Sequence, residues 1–583
     1  MFLKQIILIF LLFFSKQLFS QGFLKANGKT IVNAKGKEII LRGIGLGGWM
    51  LQEPYMLQLG GVAANQSLIR SKITDVIGED ATNTFYNAWL ANYCRKADID
   101  SLAAWGFNSI RLPMHYNLFT LATEQEPVSG KNTWLSKGFQ LTDSLLSWCK
   151  ADKIYLILDL HATPGGQGND VAISDRDTSK PSLWQSELNK QKTIALWRKL
   201  AERYANEQWI GGYDLINETN WGFQNASDKN GCAETENVPL KKMLTDITDA
   251  IRQVDKKHVI FIEANCWANN YNGIFPLWDN NIVVSFHKYW NSNDQQSIQK
   301  FLDIRDKYNV PVWCGESGEN SNVWFTDAIG LFEKNKIGWA WWPLKKFGLN
   351  NPLQIKQNNG YKQLISYWKG QSPKPSQADA FTALMQLTED IKAENNNMHK
   401  DVIDAMFRQV NSFETIPFKQ HIIKPNTIVF AVDYDLGRNH FAYMDNDSAD
   451  YHVSTGKRTA GNRGGQYRND GVDIEACTDS LTNGFNVGWI EDGEWLQYTI
   501  NVEKTDLYNL NIRIASGHES NIQILVNDVA VVENISLKEG AGDKDWETTT
   551  VTNIHLTKGI SRFKIFVVKG DFKLNYFEFI SIK

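Results

Sequence analysis

Eight short apolar runs recur along the first two-thirds of the chain, most of them separated by stretches with helical spacing. The runs are LRGIGLGGWM (Leu41–Met50), GFNSIRLPM (Gly106–Met114), KIYLILDLHA (Lys153–Ala162), YDLINETNW (Tyr213–Trp221), HVIFIEANCW (His258–Trp267), NIVVSFHKYW (Asn281–Trp290), VPVWCGESG (Val310–Gly318) and IGWAWWPLKK (Ile337–Lys346). Each has the length of a buried strand. Between them, helices are predicted over Lys96 to Trp105, Leu135 to Lys153, Glu187 to Asn206, Leu240 to Val254, Gln295 to Tyr308 and Asn322 to Lys334. Alternating strand and helix imply a parallel sheet, and eight such units close into a (β/α)8 barrel.

The apolar runs do not end at random. Arg111, then Asp159 with His161, Asn217 with Glu218, Glu263, His287 with Tyr289, and Glu316 all fall at or just past their C-terminal ends. That is the end at which such barrels place their sites. A lone carboxylate closing a strand is usually a solvated strand end. Two of them, Glu218 and Glu316, each closing one run within the same polar ring, read instead as a facing pair.

After the eighth run come WKGQSPKPSQAD and helical stretches over Ala378 to Asn395 and Asp401 to Gln409, read as an extension packed on the barrel. A boundary is expected in Thr415 to Thr427, giving a first domain over 22–420 and a second over 426–583. The second changes to short alternating runs (EWLQYTINV, YNLNIRIAS, NIQILVNDVAVVEN, SRFKIFVVK, LNYFEFISI) without helices, the pattern of an all-β sandwich or jelly roll. The first twenty residues read as a signal peptide, with Lys4 before an apolar stretch from Gln5 to Phe14 and Ser20 at the cleavage point, so the chain is expected outside the cytoplasm: secreted, periplasmic or on the cell surface. A retained N-terminal anchor is the other reading of that stretch. No later run approaches the length of a membrane span.

Composition narrows the function. A net charge of −4 over 583 residues supplies no basic stripe for nucleic acid. The six cysteines show no metal-ligand spacing, their pairing stays open, and Cys314 reads as a buried thiol. The 21 Trp, 19 Tyr and 30 Phe supply flat faces of the kind that stack on sugar rings, although most will be core. Trp49, Trp221, Trp267, Trp290 and Trp324 lie beside strand ends and are either stacking surfaces or core.

The barrel region resembles glycoside hydrolase family 5, the cellulase family. The resemblance runs through RLPMHYN, DLHATPGG, NET, HKY, WCGES and GWAWWPL. It implies a retaining glycosidase in which Glu218 is the general acid/base and Glu316 the nucleophile, with Arg111, His161, Asn217, His287, Tyr289 and Trp342 in the substrate site. Thr219 replaces the proline usual after that glutamate. The segment LGGW is similar to that of the family's exo-β-1,3-glucanases. A β-glucan, 1,4- or 1,3-linked, is therefore expected as substrate. The alternatives are a β-mannanase or other β-glycosidase of the family, or a non-catalytic carbohydrate-binding protein. The inserts GGQGNDVAISDRDTSKPSLW and NWGFQNASDKNGCAETEN are expected on the active-site face, either walling off a cleft or lining it. Catalysis is expected to need no cofactor or metal.

The C-terminal region resembles family 6 carbohydrate-binding modules across FNVGWIEDGEWLQYTINV, YNLNIRIASG and LNYFEFISI. The resemblance implies a sugar clamp from Trp489 and Trp546. Phe430 and Val432 stand where relatives carry acidic residues that help hold a structural calcium, and Lys573 where they carry a sugar-contacting asparagine. Asp473 and Glu475 either line the site or are solvated. A sandwich that no longer binds sugar is the competing reading.

Overall fold

The computed structural model describes residues 22–582 apart from Ala226; the segment expected to be a signal peptide lies outside the described residues. The eight apolar runs form a closed parallel barrel. Its strands are β1 (Arg42–Gly45), β2 (Ser109–His115), β3 (Tyr155–Ala162), β4 (Ile210–Asp214), β5 (Ile260–Glu263), β6 (Ile282–Lys288), β7 (Val312–Gly318) and β8 (Gly338–Trp342). Strand β8 pairs with β1 to close the ring, with Trp339 opposite Arg42. β2, β3 and β7 are buried at every position, which explains why they read as continuous apolar runs rather than alternating ones.

The helices start where side-chain caps allow. Ser186 accepts from the Asn189 N–H ahead of Glu187–Tyr204, and Ser321 from the Trp324 N–H ahead of Asn322–Lys334. Helices Lys96–Trp105 and Asn322–Lys334 have the bounds expected from the pattern. The β5–β6 connection differs, holding only the short turn Asn265–Ala268, with Cys266 and Trp267 in the left-handed region. In place of a helix, a disulfide from Cys266 to Cys232 ties this turn to the loop after β4. The Asn270 amide adds bonds to the Gly231 and Glu234 carbonyls at 2.8 and 2.9 Å. Cys314 is a buried thiol.

The mouth opposite the site is covered by a hairpin, Lys25–Asn27 with Thr30–Val32. Leu24 is buried beside it, and the Ala26 N–H donates to Asn281 Oδ1 just before β6. Helices Asn359–Trp368, Gln377–Asp390 and Lys400–Met406 pack on the flank as the expected extension.

The C-terminal domain is a β-sandwich of two six-stranded sheets around its own core of Ile, Val, Leu and Phe side chains. Its strand His421–Ile423, paired with Trp495–Val502, lies ahead of residue 426. Among the described residues no helix is long and apolar enough to cross a membrane.

The two domains share a buried polar junction. Asp401 accepts from the Asn322 amide and the Asn469 N–H, both at 2.8 Å, and the Asn322 amide also donates to Asp470 at 2.9 Å. Burial works against the charge on Asp401, but His399, Arg468 and the Asn469 N–H hold its carboxyl down at about 2. Removing one partner of a buried, hydrogen-bonded charge leaves the others unpaired. Asp401→Ala is therefore expected to cost about 3 kcal/mol of stability in denaturant unfolding. An unchanged midpoint would show that the junction does not hold the domains together.

Candidate active site

Arg111 occupies the centre of the barrel's C-terminal end and is completely buried. The strand-end pattern placed it at the end of its run, but it is the third residue of β2 and so lies deeper than the carboxylates it serves. Its Nε donates to Asp214 at 2.9 Å. One terminal nitrogen reaches Asn217 Oδ1 and Glu263, both at 2.8 Å, and the other donates to Glu316 and lies 3.2 Å from Asp159.

The two carboxylates expected to face each other do so. One oxygen of each, together with a ring nitrogen of His287, falls within 4.8 Å of the others. So close an approach fits the short carboxyl separation of a retaining pair, about 5–5.5 Å. Glu218 stands in the turn after β4 with φ of 43°, a left-handed conformation rare for a residue with a Cβ. The turn is held from outside, because the Glu218 N–H donates to Glu263 Oε2 at 2.7 Å. His287 spans the site, its Nδ1 2.6 Å from Glu218 and its Nε2 3.2 Å from Glu263. The Tyr289 hydroxyl donates to Glu316 at 3.2 Å.

The surroundings of the two glutamates differ. Burial, reinforced by Glu316 and Glu263 and opposed by His287, pushes Glu218 up to about 7. Glu316 receives two donors, Arg111 and Tyr289. Burial disfavours the charge on His287, but Glu263, Glu316 and Glu218 together raise it well above 6.5. Burial likewise opposes the charge on Glu263, yet His287, Arg111 and the Glu218 N–H hold it at about 2. Burial drives Asp159 and Asp214 well up, towards their neutral forms. Glu218, His287 and Glu316 have the composition of a metal-ligand set, but both ring nitrogens of His287 are already engaged, one by Glu218 and the other by Glu263.

The remaining predicted residues surround this pair. His161 is pushed down to about 3, mainly by burial; its Nδ1 is 2.8 Å from Asp159 and its Nε2 3.2 Å from the Asn217 amide. The Trp342 ring lies parallel to His161, 2° between planes, with its indole N–H donating to Tyr55 at 2.9 Å; it is 4% exposed. Gly47 explains the LGG segment, since a Cβ there would sit 2.5 Å from the Trp342 ring. Of the aromatic candidates, Trp49 and Trp324 are core. Both are buried, with indole N–H groups donating to the carbonyls of Leu90 and Asn291. Trp221, Trp267 and Trp290 are half-buried, and the Arg176 guanidinium covers Trp221 at 4.7 Å. The Thr219 carbonyl accepts from the Trp267 N–H at 3.1 Å; nothing in the structure explains its side chain.

The sequence pattern flags none of Asp214, Glu53 and Glu319, and it shows Glu263 at a strand end without a role. The signal for Glu263 was present, a carboxylate ending an apolar run like Glu316. Glu53 gave no such signal because it follows β1 in an irregular stretch. It is buried 3.9 Å from His161 and held well above the ordinary range by burial and by Glu316 and Glu218. Glu319, past β7, pairs with Lys346 and accepts from Tyr55.

In the sandwich, Trp489 is exposed and Trp546 half-buried with its N–H on Thr478. Ala515 is in register with both Trp546 and Lys573. Lys573 pairs with Glu475 at 2.7 Å and Asp543 at 3.3 Å, so Glu475 is an ion-pair partner rather than freely solvated. Asn575 is buried on Asp479 and Leu481. Asp473 is also buried, accepting from the Arg463 N–H. The calcium position does not fit the ion, because Val432 is buried in the core and Phe430 packs against Tyr576, and neither offers an oxygen donor from its side chain.

A parallel barrel with paired glutamates on its C-terminal face, one raised and one held by cationic and hydroxyl donors, is the site of a retaining glycosidase. Residues 71–348 match the cellulase model of glycosyl hydrolase family 5, and residues 466–581 match the family 6 carbohydrate binding module. The barrel belongs to glycosyl hydrolase family 5, and the sandwich is a family 6 module. The chain is 27% identical over 381 residues to a β-xylosidase of Phanerodontia chrysosporium, covering 59% of this chain and 75% of that protein. It is 23% identical over 320 residues to endoglucanase C of Acetivibrio thermocellus, covering 44% and 84%. A β-glucanase structure from Saccharophagus degradans aligns at 18% identity over 64% of this chain and 94% of that one, with a TM-score of 0.37.

With Glu218 as proton donor, kcat/KM is expected to fall as pH rises through about 7, where the donor loses its proton. A pH–rate profile flat to pH 9 would contradict that role.

Proposed function

We propose that this protein is a secreted retaining hydrolase of β-glucan, 1,4- or 1,3-linked, delivered to its polymer by the C-terminal module. The observation that carries the reading is the close Glu218–Glu316 pair with the former raised to about 7. Glu218 protonates the glycosidic oxygen while a Glu316 oxygen attacks the anomeric carbon; the C–O bond to the leaving sugar breaks as the glycosyl–Glu316 ester forms. Glu218, now a carboxylate, takes a proton from water, which attacks the same carbon and releases Glu316. Arg111 and Tyr289 orient Glu316, each donating to one of its oxygens. Asn217, fixed by Arg111 and His161, is placed to bond the hydroxyl beside the reacting carbon. His161 and Trp342 form one wall of the sugar site.

The β-glucan assignment is supported by the cellulase family match and the endoglucanase relative. Cleavage of a β-xyloside is a second reading, supported by the β-xylosidase relative.

Glu218→Gln and Glu316→Gln are each expected to lower kcat by about 10⁴-fold or more, on the scale of losing a member of a catalytic pair, while sugar still binds. Product profiling of the wild type on laminarin, mixed-linkage glucan, cellulose, mannan and xylan gives linkage and mode. Wild-type turnover in either variant would overturn the assignment of roles, and cleavage of mannan or xylan alone would overturn the β-glucan reading.

A further inference from the structure

The loops that follow β6 and β7, beside Tyr289, carry contacts from the C-terminal domain. Between its strands Tyr443–Met444 and Ile474–Ala476, the sandwich sends out a segment, 449–459, that lies against the loops after β6 and β7. The Val453 N–H donates to the Trp290 carbonyl at 2.9 Å, and the Ser292 N–H donates to Ser454 Oγ at 2.8 Å. Asn320 and Asp450 exchange two hydrogen bonds, at 2.7 and 3.1 Å. The His452 ring rests against the Trp290 indole, centroids 5.5 Å apart, and is itself held by Asp450 at 2.9 Å and Arg458 at 3.2 Å.

What this segment grips is a strained turn. Trp290 has φ of 51°, a conformation that a bulky side chain keeps only where its surroundings over-determine it. Two of the fixings are barrel-internal: its indole N–H donates to the Glu319 carbonyl at 2.9 Å, and its ring lies 5.2 Å from Tyr289. The remaining ones, on its carbonyl and its ring, come from Val453 and His452. Tyr289 in turn donates to Glu316. A continuous series of contacts therefore runs from the appended domain through two aromatic rings to the carboxylate.

We propose that the C-terminal domain is a working part of the catalytic cleft, and that His452 is a positioning residue that, through Trp290, sets where the Tyr289 hydroxyl meets Glu316. This rests on Glu316 being the nucleophile. A domain serving only as a sugar anchor would bind polymer through Trp489 and Trp546 and leave hydrolysis of short substrates untouched.

The test uses the full-length protein carrying His452→Ala, which removes the ring, or Val453→Pro, which removes one N–H from an exposed residue. On a short soluble oligosaccharide that the wild type hydrolyses, each variant is expected to lower kcat about tenfold with KM nearly unchanged, the scale on which a small misplacement of a catalytic group acts. His452→Phe, which restores a ring, is expected to recover kcat to within about twofold, on the same reasoning. Folded variants that keep wild-type kcat overturn the proposal, and so does a lowered melting temperature with kcat intact, which would make the contact one of docking alone. A crystal structure of His452→Ala with the Tyr289–Glu316 bond in place also overturns it, independently of whether the substrate reading stands.

Discussion

The site depends on a single buried guanidinium. Arg111 has no contact with water, and burying such a charge is tolerable only when its N–H groups are paired. Its partners come from β3, β4, β5, β7 and the turn after β4, so pairing it draws five parts of the barrel to one point. Glu263 carries the same logic one step further. Arg111 and His287 hold it ionised, and its second oxygen fixes the backbone of Glu218 in the unusual turn that aims the carboxyl inward. The raised Glu218 and the donor-rich Glu316 are thus two outcomes of one charge arrangement, while burial drives Asp159 and Asp214 towards their neutral forms.

Much of this was legible in the residues. Strands that are apolar along their whole length and end in polar groups announce a parallel barrel and its functional face, and Glu218 and Glu316 stand out for that reason. Asp214 and Glu263 were harder because they sit inside the polar ring, where an acid serving Arg111 reads no differently from one meeting substrate. Trp49 and Trp324 show the limit of position alone: they lie near strand ends, but their N–H groups are used by carbonyls within the fold. The Cys232–Cys266 bridge could not be read from spacing, because it depends on two loops meeting above β4 and β5.

The junction between domains was the least visible feature. A stretch with two prolines and little periodicity reads as a boundary, and the residues that abolish independence lie elsewhere, in Asn320, Asn322, Asp401, Asp450, Asn469 and Asp470. Each is an ordinary polar residue in the sequence, and only the fold shows that they meet. The outcome is a two-domain protein whose second domain touches the turn that carries Tyr289.

The central claim is that Glu316 attacks and Glu218 donates the proton. It is tested most directly by trapping the covalent intermediate with an activated 2-deoxy-2-fluoro β-glycoside and mapping the label by mass spectrometry, since a retaining enzyme passes through a glycosyl–carboxylate ester. The account predicts time-dependent inactivation with one glycosyl unit on the peptide bearing Glu316. Label on the peptide bearing Glu218 instead, or continued hydrolysis with no covalent adduct, would contradict it.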